Sequence, residues 1–235
     1  MRPSAQVWTP EALKELSDEF ENRSPQEAAA WALEEFHPDI ALSCSFGGPG
    51  GVVLVDMLTR IRPDVRVFYL DTEFLFPEVY ETRDRLIERY GIRPVAYRPA
   101  LSPKDQAVVQ GPELYARQPD LCCHLRKVVP MREALAGLSA WVTAIRRDQS
   151  PTRAGTGIVE WDARFNLVKV NPLANWTEDD VWNYIGENDV PYNPLHDRGY
   201  PSIGCWPCTK PVEKGEHARA GRWVNFSKTE CGLHA

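Results

Sequence analysis

The 235-residue chain sets 27 Lys and Arg against 33 Asp and Glu, a net charge of −6, with 43% hydrophobic and 26% charged residues. Those are the values of a soluble globular protein of one large or two small domains, and the acidic balance excludes nucleic acid as the main partner, since a phosphate backbone demands an excess of Lys and Arg. There is no run of about eighteen apolar residues to span a membrane and no apolar signal-peptide core in residues 1–6, so a cytoplasmic location is expected. In a reducing compartment, six cysteines point to metal binding or redox chemistry rather than three disulfides.

Thr9 followed by Pro10 predicts an N-cap with proline at the first helical position, and Leu13, Leu16 and Phe20 then share a face. Ser24-Pro25-Gln26-Glu27 reads as a capping box opening a second helix, with Trp31 and Phe36 downstream. From residue 40 the pattern repeats as strand, loop and helix. An apolar run over 40–44 leads through the glycine-rich 47–51 into a helix over 52–60. A strand over 65–70 precedes a helix over 77–90 that Gly91 stops, and a strand over 93–98 precedes a helix over 121–135 closed by Gly137. A fourth strand is expected over 140–145. This alternation predicts an α/β fold, a mostly parallel sheet with helices on both faces and ligands beyond the strand carboxyl ends. Residues 158–161 and 167–170 can pair as a hairpin, and Thr177-Glu178-Asp179-Asp180 caps a last helix reaching about 188. After Val190 periodicity fades, so the expected organisation is one domain over 1–208 and a mobile C-terminal tail over 209–235.

The most specific chemical signal is the pair Cys122-Cys123 together with Cys205-Trp206-Pro207-Cys208, two close cysteine pairs able to converge on one centre. Soft thiolates suit zinc or an iron–sulfur cluster. Adjacent cysteines are awkward ligands for one tetrahedral zinc, because both side chains must turn inward, and a cubane with separate iron corners relaxes that demand. Structural zinc stays open as the alternative. Cys44 reads as a small buried hydrophobe. Cys231, alone in a terminal stretch without periodicity, is a poor candidate for core packing and a good one for a residue that moves. Basic residues cluster over 146–153 around Gln149-Ser150-Pro151, in an expected loop after a strand.

Cys122-Cys123 followed by Arg126-Lys127, the run Arg146-Arg147-Asp148-Gln149-Ser150-Pro151-Thr152-Arg153, Pro191-Tyr192-Asn193-Pro194-Leu195, Gly204-Cys205-Trp206-Pro207-Cys208 and Glu230-Cys231-Gly232-Leu233-His234 together resemble an assimilatory adenylyl-sulfate (APS) reductase, from about Ile40 to the end. The resemblance implies an adenine nucleotide alpha-hydrolase-like fold, a [4Fe-4S] cluster on Cys122, Cys123, Cys205 and Cys208, and thioredoxin as reductant. It implies Cys231 as the nucleophile that takes the sulfonate from APS. Segments matching the family's substrate-binding positions carry Ser43, Ser45 and Gly48 in the phosphate-binding loop and Leu70, Asp71 and Thr72 beside the adenosine. Further segments carry Lys127, Arg147, Arg153, Arg219, Arg222 and Trp223 around the anions. Asp71 reads equally well as a cap for the next turn, and His124 and His234 are ambiguous. The loop departs from the family's pattern, which continues with a small residue, Glu and Asp, where Pro49-Gly50-Gly51 stand here. Alternatives are a phosphoadenylyl-sulfate (PAPS) or dual-specificity reductase, an ATP-activating tRNA sulfur-insertion enzyme, and a zinc-bound nucleotide-sensing module. The oligomeric state is left open, with a homo-oligomer allowed.

Overall fold

The computed structural model describes residues 8–213, 215–224, 226, 228 and 230–233; His234 lies outside them. Two capped helices open it. α1 (Pro10–Phe20) is capped by Thr9, whose side chain accepts from the Ala12 N–H, and α2 (Pro25–Phe36) by the reciprocal Ser24–Glu27 box. The alternating part then runs β1 (Ile40–Ser43), α3 (Pro49–Ile61), β2 (Val67–Leu70), α4 (Pro77–Tyr90) and β3 (Val95–Tyr97). α5 (Pro103–Gln110), α6 (Leu114–Arg117), α7 (Pro119–Cys123), a π-helical turn over His124–Val128 and α8 (Val129–Leu135) follow. β4 (Ala140–Val142), the hairpin β5 (Val159–Asp162) and β6 (Leu167–Val170), and α9 (Glu178–Asn188) complete the order.

The six strands form one sheet in the order β3-β2-β1-β4-β6-β5, parallel except for the edge pair β5–β6. Strand residues alternate between two cores, as period 2 requires. Ile40, Leu42, Val67, Tyr69, Val142, Val168 and Val170 face the larger core with residues of α1–α4 and α9, while Ala41, Phe68, Trp141 and Leu167 face a smaller one with Met131, Ala134 and Leu135 of α8. Helices therefore cover both faces. α3 is pinned from inside: the carboxylate of Asp56, wholly buried, accepts from the hydroxyls of Tyr90 on α4 (2.9 Å) and Tyr184 on α9 (2.6 Å) and pairs with Arg60 at 2.8 Å. Strand order reverses at β1, whose neighbours are β2 and β4, and a crevice opens at such a switch point.

The long helix expected over 121–135 is present as α7, the π turn and α8, a continuous path with one widened turn. α5 and α6 lie where no helix is expected from the sequence. Ser102 caps α5 ahead of Pro103, but the helix buries only Gln106 and leaves Val108 and Val109 exposed, so it lacks the apolar stripe that marks a helix in sequence.

Candidate active site

A cleft of about 260 Å³ opens beyond the carboxyl ends of β1, β2 and β4, where Ser43, Leu70 and Thr143 line it. The loop after β1 supplies one wall through Ser45, Gly47 and Gly48, with the Ser45 Oγ accepting from the Gly47 N–H at 3.4 Å. Gly48 caps α3 with no side-chain bond, so the open N–H groups and partial positive charge of that 13-residue helix face the cleft. Pro49-Gly50-Gly51 has a packing reason. A Cβ on Gly50 would stand 3.3 Å from the Ala144 Cβ, and one on Gly51 3.2 Å from the Cys44 Sγ, so small residues let the helix start lie close against β1 and the segment after β4. Cys44 itself is buried, and burial pushes its thiol up to about 12, which makes it unreactive.

Cys122, Cys123, Cys205 and Cys208 line one small cavity beside the cleft, closed by Phe74, Tyr115 and Pro207. Two loops bring them together. The Thr72 Oγ1 meets the Cys205 Sγ at 3.3 Å, and the Trp206 N–H donates to the Phe74 carbonyl at 2.8 Å. Burial raises the thiols of Cys122, Cys123 (to about 11) and Cys208 (to about 12). Among the described residues no three His, Cys, Asp or Glu side chains are grouped closely enough to hold a single metal ion. Four soft thiols spread around a cavity, with the buried Arg126 Nε lacking a partner on its wall, fit an anionic multi-iron centre better than one zinc ion.

Lys127, Cys205, Arg222 and Trp223 face both cavities and form the wall between them. The π turn places Lys127 there. Burial works against its charge, but negative charge on the sulfurs of Cys205, Cys231 and Cys123 outweighs that and raises its pKa. Arg222 lies across Gly204, where a Cβ would come within 2.2 Å of its Nη2, and stacks on Trp223 with its Cζ 4.5 Å from the ring centroid.

The described part of residues 209–233 folds back over the cleft. Lys210 N–H donates to the Gly221 carbonyl and Trp223 N–H to the Cys208 carbonyl, Trp223 and Glu230 are buried, and half-buried Cys231 lines the cleft. Burial alone would push the Cys231 thiol up. Lys127, a backbone N–H at Leu233 and Arg222 overcome it and hold the thiol below its usual range. A thiol held below its usual range thus lies among cations on the wall of the cleft.

Ser43, Ser45, Gly48, Leu70, Thr72, Lys127, Arg153, Arg219, Arg222, Trp223 and Cys231 all line the cleft. Asp71 and Arg147 do not. Asp71 is turned into the protein, accepting from the Tyr80 hydroxyl (2.7 Å), the Glu73 N–H (3.2 Å) and the Arg98 Nε (3.0 Å), and so caps a turn as its alternative reading required. Arg147 points to α1, donating to the Thr156 carbonyl at 2.8 Å and pairing with Glu21. With its charge met there, it is unavailable to a ligand in the cleft. The sequence reading missed Gln149 and Glu230, both on the cleft wall. For Glu230 the available signal was its place beside Cys231 in a chain whose basic residues cluster elsewhere.

A Rossmann-like sheet with a helix N-terminus at its switch point and a cleft lined by cations defines an α/β protein of the nucleotide-binding class. Residues 39–211 match the phosphoadenosine phosphosulfate reductase domain. The chain is 47% identical over 232 residues to the adenosine 5'-phosphosulfate reductase of Salinibacter ruber, covering 98% of this chain and 92% of that one. It is also 47% identical over 205 residues to adenosine 5'-phosphosulfate reductase 1 of Bacillus subtilis, covering 87% and 88%. The phosphoadenylyl-sulfate reductase of Candida auris superimposes with a TM-score of 0.78 at 31% identity, covering 89% of this chain and 100% of that one. Candida glabrata FMN adenylyltransferase, at 14% identity, TM-score 0.58 and coverage of 91% and 78%, shares the fold alone. The chain belongs to the phosphoadenosine phosphosulfate reductase family and is an oxidoreductase acting on a sulfur group, which sets aside the tRNA-enzyme and sensor readings. No helix of the described residues is long and apolar enough to cross a membrane.

Proposed function

We propose that the protein reduces adenylyl sulfate to sulfite and AMP with electrons from thioredoxin, in sulfate assimilation. The observation that carries this is Cys231, a thiol held below its usual range by Lys127 and Arg222 on the wall of the cleft that α3 opens into. The Cys231 thiolate attacks the sulfur of the bound sulfate, the S–O bond to the phosphate breaks, and AMP departs with that electron pair, leaving an S-sulfocysteine. A thioredoxin thiolate then attacks the Cys231 Sγ and sulfite leaves. The second thioredoxin thiol resolves the mixed disulfide, so two electrons pass from the dithiol to the sulfur. Lys127 and Arg222 neutralise the anions that would otherwise repel the thiolate.

The four cysteines of the neighbouring cavity would hold a [4Fe-4S] cluster, which supplies a fixed charge and dipole field next to the sulfate position. Its presence is read as a broad visible absorption in anaerobically purified protein, lost together with iron in Cys122→Ser. A colourless protein that cannot be reconstituted would refute the assignment. For the reaction, Cys231→Ser abolishes sulfite formation while leaving AMP binding in place; full activity in that variant would refute the mechanism. The Candida auris likeness makes phosphoadenylyl sulfate the second candidate. The relatives covering nearly the whole chain carry the unphosphorylated nucleotide in their names, and kcat/KM for the two nucleotides decides between them.

A further inference from the structure

The cleft contains a carboxylate where its chemistry calls for an anion. Glu230, 8% exposed and adjacent to the nucleophile, accepts from the Arg153 Nε at 2.9 Å and Nη2 at 2.8 Å, from the Arg219 Nη2 at 3.3 Å, and more loosely from the hydroxyls of Ser150 (3.3 Å) and Thr152 (3.4 Å). This is the fork-to-fork arrangement by which arginine takes carboxylate, sulfate or phosphate. The third nitrogen of the Arg153 guanidinium, Nη1, is bound to Gln149. All three nitrogens of Arg153 are therefore engaged, and the edge it would offer to an anion in the two-pronged mode, Nε with Nη2, is filled by the carboxylate. Arg219 is drawn to the same group, although burial beside Arg153 and Arg222 lowers its own pKa.

The thiol beside it is anchored differently. Cys231 is held through Lys127, the Leu233 N–H and Arg222. The Arg222 Nε is buried without a partner, and its Nη1 reaches the Ser202 Oγ at 3.2 Å. The cleft thus holds two pairs of cations, Arg153–Arg219 taken by the protein's own carboxylate and Lys127–Arg222 beside the thiol. Glu230 and Cys231 are consecutive residues, so release of the carboxylate loosens the segment that carries the thiol.

The geometry points to Glu230 as an internal stand-in for the substrate's anion, a positioning residue that holds its segment against the cleft wall until an incoming phosphate or sulfate group displaces it from Arg153 and Arg219. This rests on the reading that the cleft takes an anionic nucleotide. Three consequences follow for the reaction. The thiol is sheltered when no substrate is present. Anion binding is coupled to freeing the segment that must later carry the sulfonate outward. A nucleoside without a phosphate fills the base pocket but leaves the latch shut, so selection for an anion lies partly in the tail.

The test is the alkylation rate of Cys231 by iodoacetamide in the full-length, anaerobically purified protein, read on the tail peptide by mass spectrometry, together with AMP affinity by calorimetry. In the wild type, AMP and inorganic sulfate speed alkylation several-fold and saturably, while adenosine, and chloride at matched ionic strength, do not. Glu230→Gln alkylates without ligand about as fast as the wild type with AMP. It also binds AMP about tenfold more tightly, the ratio expected on removing one well-paired competing charge. Equal alkylation of the two proteins without ligand, or AMP affinity unchanged or weakened in Glu230→Gln, overturns the proposal. Should that variant fail to fold, the sulfate titration of the wild type decides alone, and a response no larger than that to chloride overturns it. Failure of adenylyl-sulfate turnover with these alkylation results intact would count against the proposed reaction and not against the latch.

Discussion

Gly204 has no side chain, yet the structure makes it a strong control on the Arg222 guanidinium that lines the cleft. A methyl group placed on it would lie 2.2 Å from the Arg222 Nη2, 2.6 Å from its Cζ and 3.1 Å from its Nη1. Ordinary carbon contacts are about 3.5–4.0 Å, so Gly204→Ala drives the guanidinium back by more than an ångström. The retreat breaks the 3.2 Å bond to the Ser202 Oγ and the stacking on Trp223 at 4.5 Å, contacts worth about 1.5–3 kcal/mol for a hydrogen bond to a charged group and about 0.5–2 kcal/mol for a cation on a ring. A guanidinium displaced from both no longer faces the thiol and the incoming anion. The expected result is a roughly 10–100-fold fall in kcat/KM for sulfite formation, with the sheet and its helices intact by circular dichroism. The decisive assay is the double-mutant cycle. In an Arg222→Ala background the methyl group has empty space to occupy, so Gly204→Ala should cost almost nothing there. A wild-type kcat/KM in Gly204→Ala, or a penalty that persists undiminished without Arg222, would refute the reasoning.

Two further outcomes follow from the same structure. Because the Cys231 thiol is held below its usual range by Lys127 despite burial, its thiolate persists to lower pH than an ordinary cysteine's. The pH profile of Cys231 alkylation without nucleotide should move upward in Lys127→Met, and an unmoved profile would show that Lys127 does not stabilise the thiolate. Asp56→Ala removes the buried acceptor of two half-buried tyrosine hydroxyls; the loss is about 3 kcal/mol, or about 6–12 °C in Tm for a chain of this size. Arg60→Ala, whose side chain is more than half exposed, should cost far less, and equal losses would contradict the assignment of the pin to the tyrosines.

Most of the fold was legible because its signals are local. Thr9-Pro10, Ser24 to Glu27 and Thr177 to Asp180 cap helices where those residues stand, and Gly91 ends α4 at a φ of +66°. Strand order and the switch point at β1 were not, since they depend on which apolar runs meet across the sheet. The cleft residues were named from matching segments, which fix where a residue stands along the chain but not where its side chain points. That is why Arg153 and Arg147, six positions apart and chemically identical, divide between the cleft and Glu21 at the C-cap of α1. It is also why Asp71 serves Tyr80 and Arg98. Glu230 escaped notice because an acidic residue in a site for anions makes sense only once its arginine partners are seen around it.

The wall shared by the two cavities limits how this site can be altered. Lys127, Cys205, Arg222 and Trp223 each serve the cleft and the cysteine cavity at once, so a change made there for one purpose is also a change to the other. Variation that retunes nucleotide preference without disturbing the cysteines has to enter from the far end of the cleft, through Ser43, Ser45, Gly48 and Leu70, which touch only one of the two. Sequence drift and engineering alike are thereby steered toward the loop after β1.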